Sequence, residues 1–360
     1  MESYIFLRGL RHADHTVFCV ENGQKFYWDP VFNVRMPFSS GQQVKRSIIE
    51  SIVDGTGTKP SAVTFVFDVN TKGALGEGEV LSACDPRYFD QMFGGWMHAV
   101  KGGGTKTLKR RSPFSISAMR PIHPLLSGYA KENISFDRSD RPELHKVIVR
   151  DSKGNILSDD EIENFLIGTD RSLYRKWIPE NSRAYGLFVY DVAIDLRTLF
   201  CVSTNQMEPE LRSGTIEELK NEGWKESENV FGACLVMPEN LREKAIAAIA
   251  KSLINWRIGS NQARTFSLME TLAVAISQNA NTLASSIRAK LVDDDSERPK
   301  AKLVIDEKAG ADVFITPSCS AYTITSNEKN TALEEAEVKL TELLNLFDYE
   351  NQISDQPINE

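Results

Sequence analysis

Between Arg35 and Arg46 the chain reads Arg-Met-Pro-Phe-Ser-Ser-Gly-Gln-Gln-Val-Lys-Arg, which places cations and neutral donors around a predicted helix start. Pro37 and Gly41 bracket a turn, and Ser39 or Ser40 can cap the helix that follows. Gln42, Lys45 and Arg46 then fall in its first turns, near the positive end of the helix dipole. Free backbone N–H groups, a glycine and added cations suit a phosphate. Two further stretches share this chemistry. Lys109, Arg110, Arg111 and Ser112 form a basic run, and Gly259-Ser-Asn-Gln-Ala-Arg264 is a polar loop offering Asn261, Gln262 and Arg264. Together with Arg35 they suit the backbone phosphates of a nucleic acid, with affinity that depends on salt rather than on sequence. The competing reading is that these cations merely solvate helix and loop faces.

Other groups are less suited to chemistry. His12 and His15 flank Ala13-Asp14; on a strand they point to opposite faces, which is poor spacing for a metal. Either histidine offers a general base for RNA cleavage. Asp29 precedes Pro30, so an Asp-Pro turn competes with a metal-holding or hydroxyl-activating role. Tyr27, Trp28, Phe32 and Phe38 surround the first basic loop, either to stack bases or to anchor the loop. Gly102-Gly-Gly104 lacks a phosphate-loop or dinucleotide signature. With no nucleophile–base constellation, the expectation is a binding protein without catalytic residue, metal or cofactor.

The elements that must position these groups belong to a chain of 360 residues, enough for about two lobes. Net charge is −8, which argues against a protein that coats nucleic acid with its whole surface. It leaves room for a basic face, because residues 101–120 hold Lys101, Lys106, Lys109, Arg110, Arg111 and Arg120 and no acid. The five cysteines are scattered and form no C-x-x-C pair, so a cytoplasmic protein without disulfides or zinc is expected. No stretch approaches a membrane span, and no signal peptide is indicated at the start.

Residues 3–20 read as a first strand, with Asn22-Gly23 as a hairpin turn and 24–28 returning along it. Val44, Ile48, Ile49 and Ile52 have the spacing of an amphipathic helix over 42–53, ended by Asp54-Gly-Thr-Gly57. Residues 62–69 read as a buried strand, and a short helix runs through Tyr88, Phe89, Met92 and Phe93. Regularity falls away over 121–183, a long insertion with a turn near 146–156 and a weak helix at 159–167. Residues 184–192 and 198–202 read as an antiparallel pair, and 239–256 as a second core helix. An apolar segment at 266–276, a hairpin at 301–316 and a helix at 330–347 follow, with a frayed acidic tail over the last dozen residues. Two strand–helix–strand halves joining antiparallel pairs describe an α+β, ferredoxin-like sheet. The implied organisation is a core from 1–120 and 184–320, an insertion at 121–183, and a C-terminal helix and tail at 321–360.

Met36-Pro-Phe-Ser-Ser-Gly-Gln-Gln-Val-Lys-Arg46 resembles an element of the CRISPR-associated RAMP superfamily. Its order with Met92-Phe-Gly-Gly-Trp96 and Lys109-Arg-Arg-Ser-Pro-Phe-Ser-Ile-Ser117 is similar to the DevR-like backbone subunit of type I Cascade complexes. The resemblance spans about 4–276 and implies an RRM-like palm carrying finger and thumb segments, with the thumb inside 121–183. It implies copies stacked in a helical filament along a CRISPR RNA, contacting neighbouring copies and other Cascade subunits, and presenting the guide to target DNA. Ser40, Gly41, Gln42, Lys45, Arg46, Arg111, Ser112 and the Gly259–Arg264 loop would then grip the RNA backbone. Related type III subunits cut target RNA with an aspartate of the early loop, where Asp29 lies. Guide processing by His12 or His15 is the third reading.

Overall fold

The structure, a computed structural model, describes residues 2–18, 24–99, 106–258, 266–293 and 297–353. Contacts divide it into two compact units, Met1–Gly128 with Ala184–Glu360, and Tyr129–Arg183.

In the first unit β1 (Tyr4–Thr16) is followed by a two-stranded ribbon, β2 (Phe26–Asp29) and β3 (Val34–Pro37). Helix α1 (Gly41–Thr56) buries Val44, Ile48, Ile49 and Ile52, the stripe its sequence predicts, and closes on Gly57. A small hairpin, β4 (Thr64–Val66) and β5 (Glu79–Leu81), leads to α2 (Phe89–Gly94). Strands β6 (Trp96–His98) and β7 (Leu108–Arg110) pair, and β8 (Phe114–Ile116) and β9 (Arg120–Pro121) complete the basic run. Long strands β10 (Ser127–Asp137) and β11 (Arg175–Asp195) flank the second unit's α3 (Asp159–Leu166), which has a capping box between Ser158 and Glu161. Then come α4 (Leu196–Leu199), β12 (Cys201–Ser203), α5 (Ser213–Asn221), β13 (Lys225–Asn229), β14 (Gly232–Val236) and α6 (Glu239–Asn255). The chain continues through β15 (Thr271–Ser277), α7 (Ala280–Ser286), β16 (Ile287–Val292), β17 (Lys300–Ile305), β18 (Asp312–Ile315) and α8 (Ala332–Asn345).

The central sheet runs β10-β11-β1-β15-β18, with β8 and β9 also pairing β11. Its registered pairs are antiparallel, including β1 with β11 and with β15. Along β1 the side chains alternate. Ile5 and Leu7 join Phe188, Tyr190, Val274 and Ile276 in a core shared with α1 and α6. Leu10, Val189, Ala273 and Ala275 face a second cluster closed by α7, β16, β17 and Cys319. Both faces of β1, β15 and the Ala184–Asp195 stretch of β11 are therefore covered, and the molecule is a mixed α/β protein with antiparallel sheets.

Several pairings differ from expectation. Residues 62–69 are not buried: Phe65, Phe67 and Val69 are exposed, and among the described residues β4 pairs only with β5. The place beside β11 is taken by β8 and β9, with Phe114 and Met119 fully packed. Residues 26–29 pair with β3 rather than β1, because the Asp29 carboxylate accepts the N–H groups of Val31 and Phe32 and turns the chain there. The Asn22-Gly23 turn lies outside the described residues. Residues 201–203 pair with β14 instead of β11, since α4 turns the chain away from the central sheet. The hairpin at 301–316 is replaced by two separate pairings, β17 with β16 and β18 with β15. In the final dozen, Tyr349 is buried and Glu350 bridges Lys225 at 2.8 Å and Arg242 at 2.9 Å, so this part is packed; 354–360 lie outside the described residues. Among the described residues no helix is long and apolar enough to cross a membrane.

Candidate nucleic-acid interface

The ribbon β2–β3 delivers the chain to the start of α1, and each residue of that junction has a physical task. Ser39 exchanges two backbone hydrogen bonds with Met119, both 3.0 Å, which pins the junction to the β8–β9 run. Its side chain is buried and its hydroxyl has no partner among the described residues. Burial thus removes Ser39 from the expected RNA contacts. Ser40 is the cap: its hydroxyl accepts the Gln43 N–H at 3.4 Å and its carbonyl accepts the Val44 N–H at 3.0 Å. The N–H groups of Gly41 and Gln42 have no protein acceptor among the described residues, as expected of a helix's first turn.

Gly41 has a reason of its own. A Cβ there would stand 2.7 Å from the Ile116 carbonyl, so the glycine admits a protein strand to the helix start. The close approach inferred for a phosphate is made by β8. Around this end no acidic residue occupies the first turn of α1. Lys45 is half-buried, and burial lowers its ammonium pKa from the ordinary lysine value. Arg46 is exposed and pairs with Glu50 at 2.7 Å, an i,i+4 contact of small energy in water. Gln42 and Arg35 are exposed, and the Arg35 guanidinium lies over the Phe26 ring, 4.0 Å from its centroid.

Arg120 belongs to the same neighbourhood and was overlooked as a contact by sequence reasoning. It follows Met119, the partner of Ser39, is exposed, and its charge acts on the Tyr27 phenol. The Tyr27 pKa is nevertheless raised, chiefly by burial and then by Asp29. Its presence in the acid-free run 101–120 was the available signal.

The second basic run is built differently. Phe93 of α2 is in the core, and Gly95 has φ 78° with a Cβ position 2.7 Å from the Arg110 carbonyl. The Phe-Gly-Gly-Trp and Arg-Arg-Ser-Pro motifs are therefore one packed unit, which explains their association in the sequence. Arg110 is buried; it donates to Glu210 at 2.9 Å, to the Thr198 carbonyl at 2.7 Å and to the Met92 carbonyl at 3.4 Å. Its guanidinium is committed to the fold and unavailable to RNA. The Ser112 hydroxyl is likewise occupied, donating to the Phe93 carbonyl at 2.6 Å and accepting the Phe114 N–H at 3.1 Å. Lys109 is exposed and pairs with Glu208 at 2.9 Å, whereas Arg111 is exposed without an ion pair among the described residues. No hydrogen bond or ion pair among the described residues joins this run to the α1 start; strand β8 carries Ser112 near one end and packs Gly41 at the other. Gly259, Asn261, Gln262 and Arg264 lie outside the described residues.

The remaining candidates sort by contact. Asp29 holds the ribbon turn through its two accepted N–H bonds. Tyr27 meets Phe38 edge-on at 5.8 Å, and Phe32 meets His123 at 4.9 Å. His12 Nδ1 lies 2.9 Å from Glu270, with Tyr322 against its ring at 5.0 Å. That pairing of residues 258 positions apart leaves no trace in the sequence.

No protein-family model matches the sequence, and no curated protein matches it. Among solved structures, this chain is similar to a chain of a "CRISPR RNA-guided surveillance complex", with 10% identity, a TM-score of 0.37, and coverage of 95% of this chain and 83% of that one. A chain of a "CRISPR RNA-guided surveillance complex, pre-nicking" gives 10% identity, a TM-score of 0.38, and coverage of 95% and 88%. At TM-scores below 0.5 neither likeness fixes the role of this chain.

Proposed function

We propose that this protein is an RNA-binding backbone subunit of a type I Cascade surveillance complex, holding a CRISPR RNA by its phosphates. The observation that carries the reading is the α1 start. Two N–H groups without protein acceptors among the described residues open a helix whose first turn holds no acid, with Lys45 and Arg46 in its early turns, Arg35 on the ribbon leading into it, and Arg120 next to the Met119 that pairs Ser39. Such an end takes phosphate without reading bases. The sheet supports an RRM-like palm: β1, α1, the β8–β9 run, β11, α6 and β15 follow one another, and the order β8-β11-β1-β15 is the ferredoxin-like one. The unit Tyr129–Arg183 fits the thumb of such a subunit, stacked copies of which would form a filament in the cytoplasm and present the guide to target DNA. Asp29 spends its carboxylate on the turn, which favours holding RNA over cutting it.

The test is co-expression with a CRISPR array followed by purification at moderate salt. RNA of defined length should accompany the protein. Charge reversal in K45E/R46E should weaken binding equally for all guides and reduce the magnitude of the salt slope by about 1.4, two single-strand contacts at ~0.7 each. An RNA-free monomer, or a loss confined to some guides, would refute the reading.

Guide processing has one observation in its favour, the Glu270 carboxylate orienting His12 Nδ1 at 2.9 Å. On that reading the protein cleaves unprocessed repeat RNA in chelator and H12A does not. On ours, RNA stays intact with both.

A further inference from the structure

The ribbon leading into α1 has two unlike faces. Its register sets Trp28 opposite Arg35 and Phe26 opposite Pro37, so these four side chains share one face. Tyr27, Asp29, Val34 and Met36 take the other, where Met36 is buried and Tyr27 packs on Phe38. On the first face the Arg35 guanidinium lies over Phe26, 4.0 Å from the ring centroid, and Trp28 is 58% exposed with no ring contact among the described residues. Of the four aromatics near the basic loop, three are occupied by neighbours or half-buried, and one presents an open ring. Strands β1 and β15 and the Ala184–Asp195 stretch of β11 offer no alternative platform, since both their faces are covered.

We propose that Trp28 is a base-stacking platform. One nucleobase of single-stranded RNA lies on the indole while Arg35, pre-oriented by Phe26, neutralises an adjoining phosphate. The backbone then continues to the N–H groups at the start of α1. Stacking is indifferent to base identity, which suits an RNA whose sequence varies. This rests on the RNA-holding reading of the α1 start and adds to it a contact that is not electrostatic.

Binding of a mixed-sequence single-stranded RNA is measured across a salt series for wild type, W28A, W28F and K45E/R46E, with an abasic strand as the second probe. W28A should lose at least about fivefold in affinity for intact RNA, the size of one base stack, with its salt slope unchanged. W28F should keep most of the affinity, and wild type should lose its advantage over W28A on the abasic strand. In a W177F background Trp28 is the one exposed indole, because Trp96, Trp224 and Trp256 are buried, and RNA should quench its emission. Wild-type affinity in W28A, or a changed salt slope, overturns the platform while K45E/R46E still reports the backbone grip. Wild type that binds neither strand sinks both.

Discussion

Arg110 buries its guanidinium against Glu210 at 2.9 Å, while its neighbour Arg111 keeps its side chain in solvent. Truncating the first leaves the Glu210 carboxylate without its cation, with the Ser203 N–H as a remaining donor, a loss of about 3–5 kcal/mol for a broken buried pair. Truncating the second removes only a solvated charge, within ~0.5 kcal/mol of neutral for the fold. R110A should therefore lower the melting temperature sharply. R111A should melt like wild type yet bind RNA with a salt slope smaller in magnitude by about 0.7. Normal melting in R110A with selective loss of RNA binding would invert the assignment. In the sequence the two arginines are indistinguishable, because the partner that separates them lies 100 positions away. The cap at Ser40 was legible for the opposite reason: its acceptor and donor are three residues apart.

At the scale of elements the same rule of range applies. Helices α1 and α6 appear where periodicity placed them, since Val44 to Ile52 and Ala245 to Leu253 report a face that local spacing alone defines. The segment 62–69 has strand chemistry and became a strand only over Thr64–Val66, with β8 and β9 taking the place beside β11, which no local pattern encodes. The residues after α8 show a further case. Acidic and polar, they read as a tail, yet Tyr349 packs on Phe200 at 4.9 Å and Glu350 ties them to Lys225 and Arg242. Those two cations hold the Glu350 carboxyl below its ordinary value, with hydrogen bonds from Lys225 and then Arg242 the largest causes. A depressed carboxylate stabilises the fold fully above its unfolded pKa of about 4.3 and loses that contribution as pH falls through the lower folded value. The pairs are partly exposed, so the effect is ~1 kcal/mol or less. Melting of E350Q should be lower than wild type at neutral pH and converge with it in acid. Parallel curves across that range would remove the tether from the account.

For the whole molecule, the distribution of burial separates what folds alone from what waits for a partner. The first unit contains both core clusters, whereas among the described residues of Tyr129–Arg183 the buried side chain is Arg183, held by Glu132. Phe136, Phe165, Ile167 and Trp177 are exposed there. A segment of this size without a core cannot offset its chain entropy by its own burial, so order in it must be completed from outside. In the proposed filament the neighbouring copy and the guide supply that surface. Within the first unit the Ser127 hydroxyl donates to the Leu187 carbonyl at 2.6 Å, so the chain ends flanking the insertion are adjacent. Replacing 129–183 by a short Gly-Ser linker should then leave the melting transition of the remainder nearly unchanged and leave short-RNA binding at α1 intact. It should abolish multi-copy assembly on a long guide, read as mass per RNA in light scattering. In the intact protein, amide exchange across 129–183 should slow on assembly, while exchange in β1 and β11 beyond Ala184 should already be slow in the free chain. Assembly that survives the excision would show that copies meet through another surface, and a chain that unfolds without the insertion would show that the first unit does not stand on its own core.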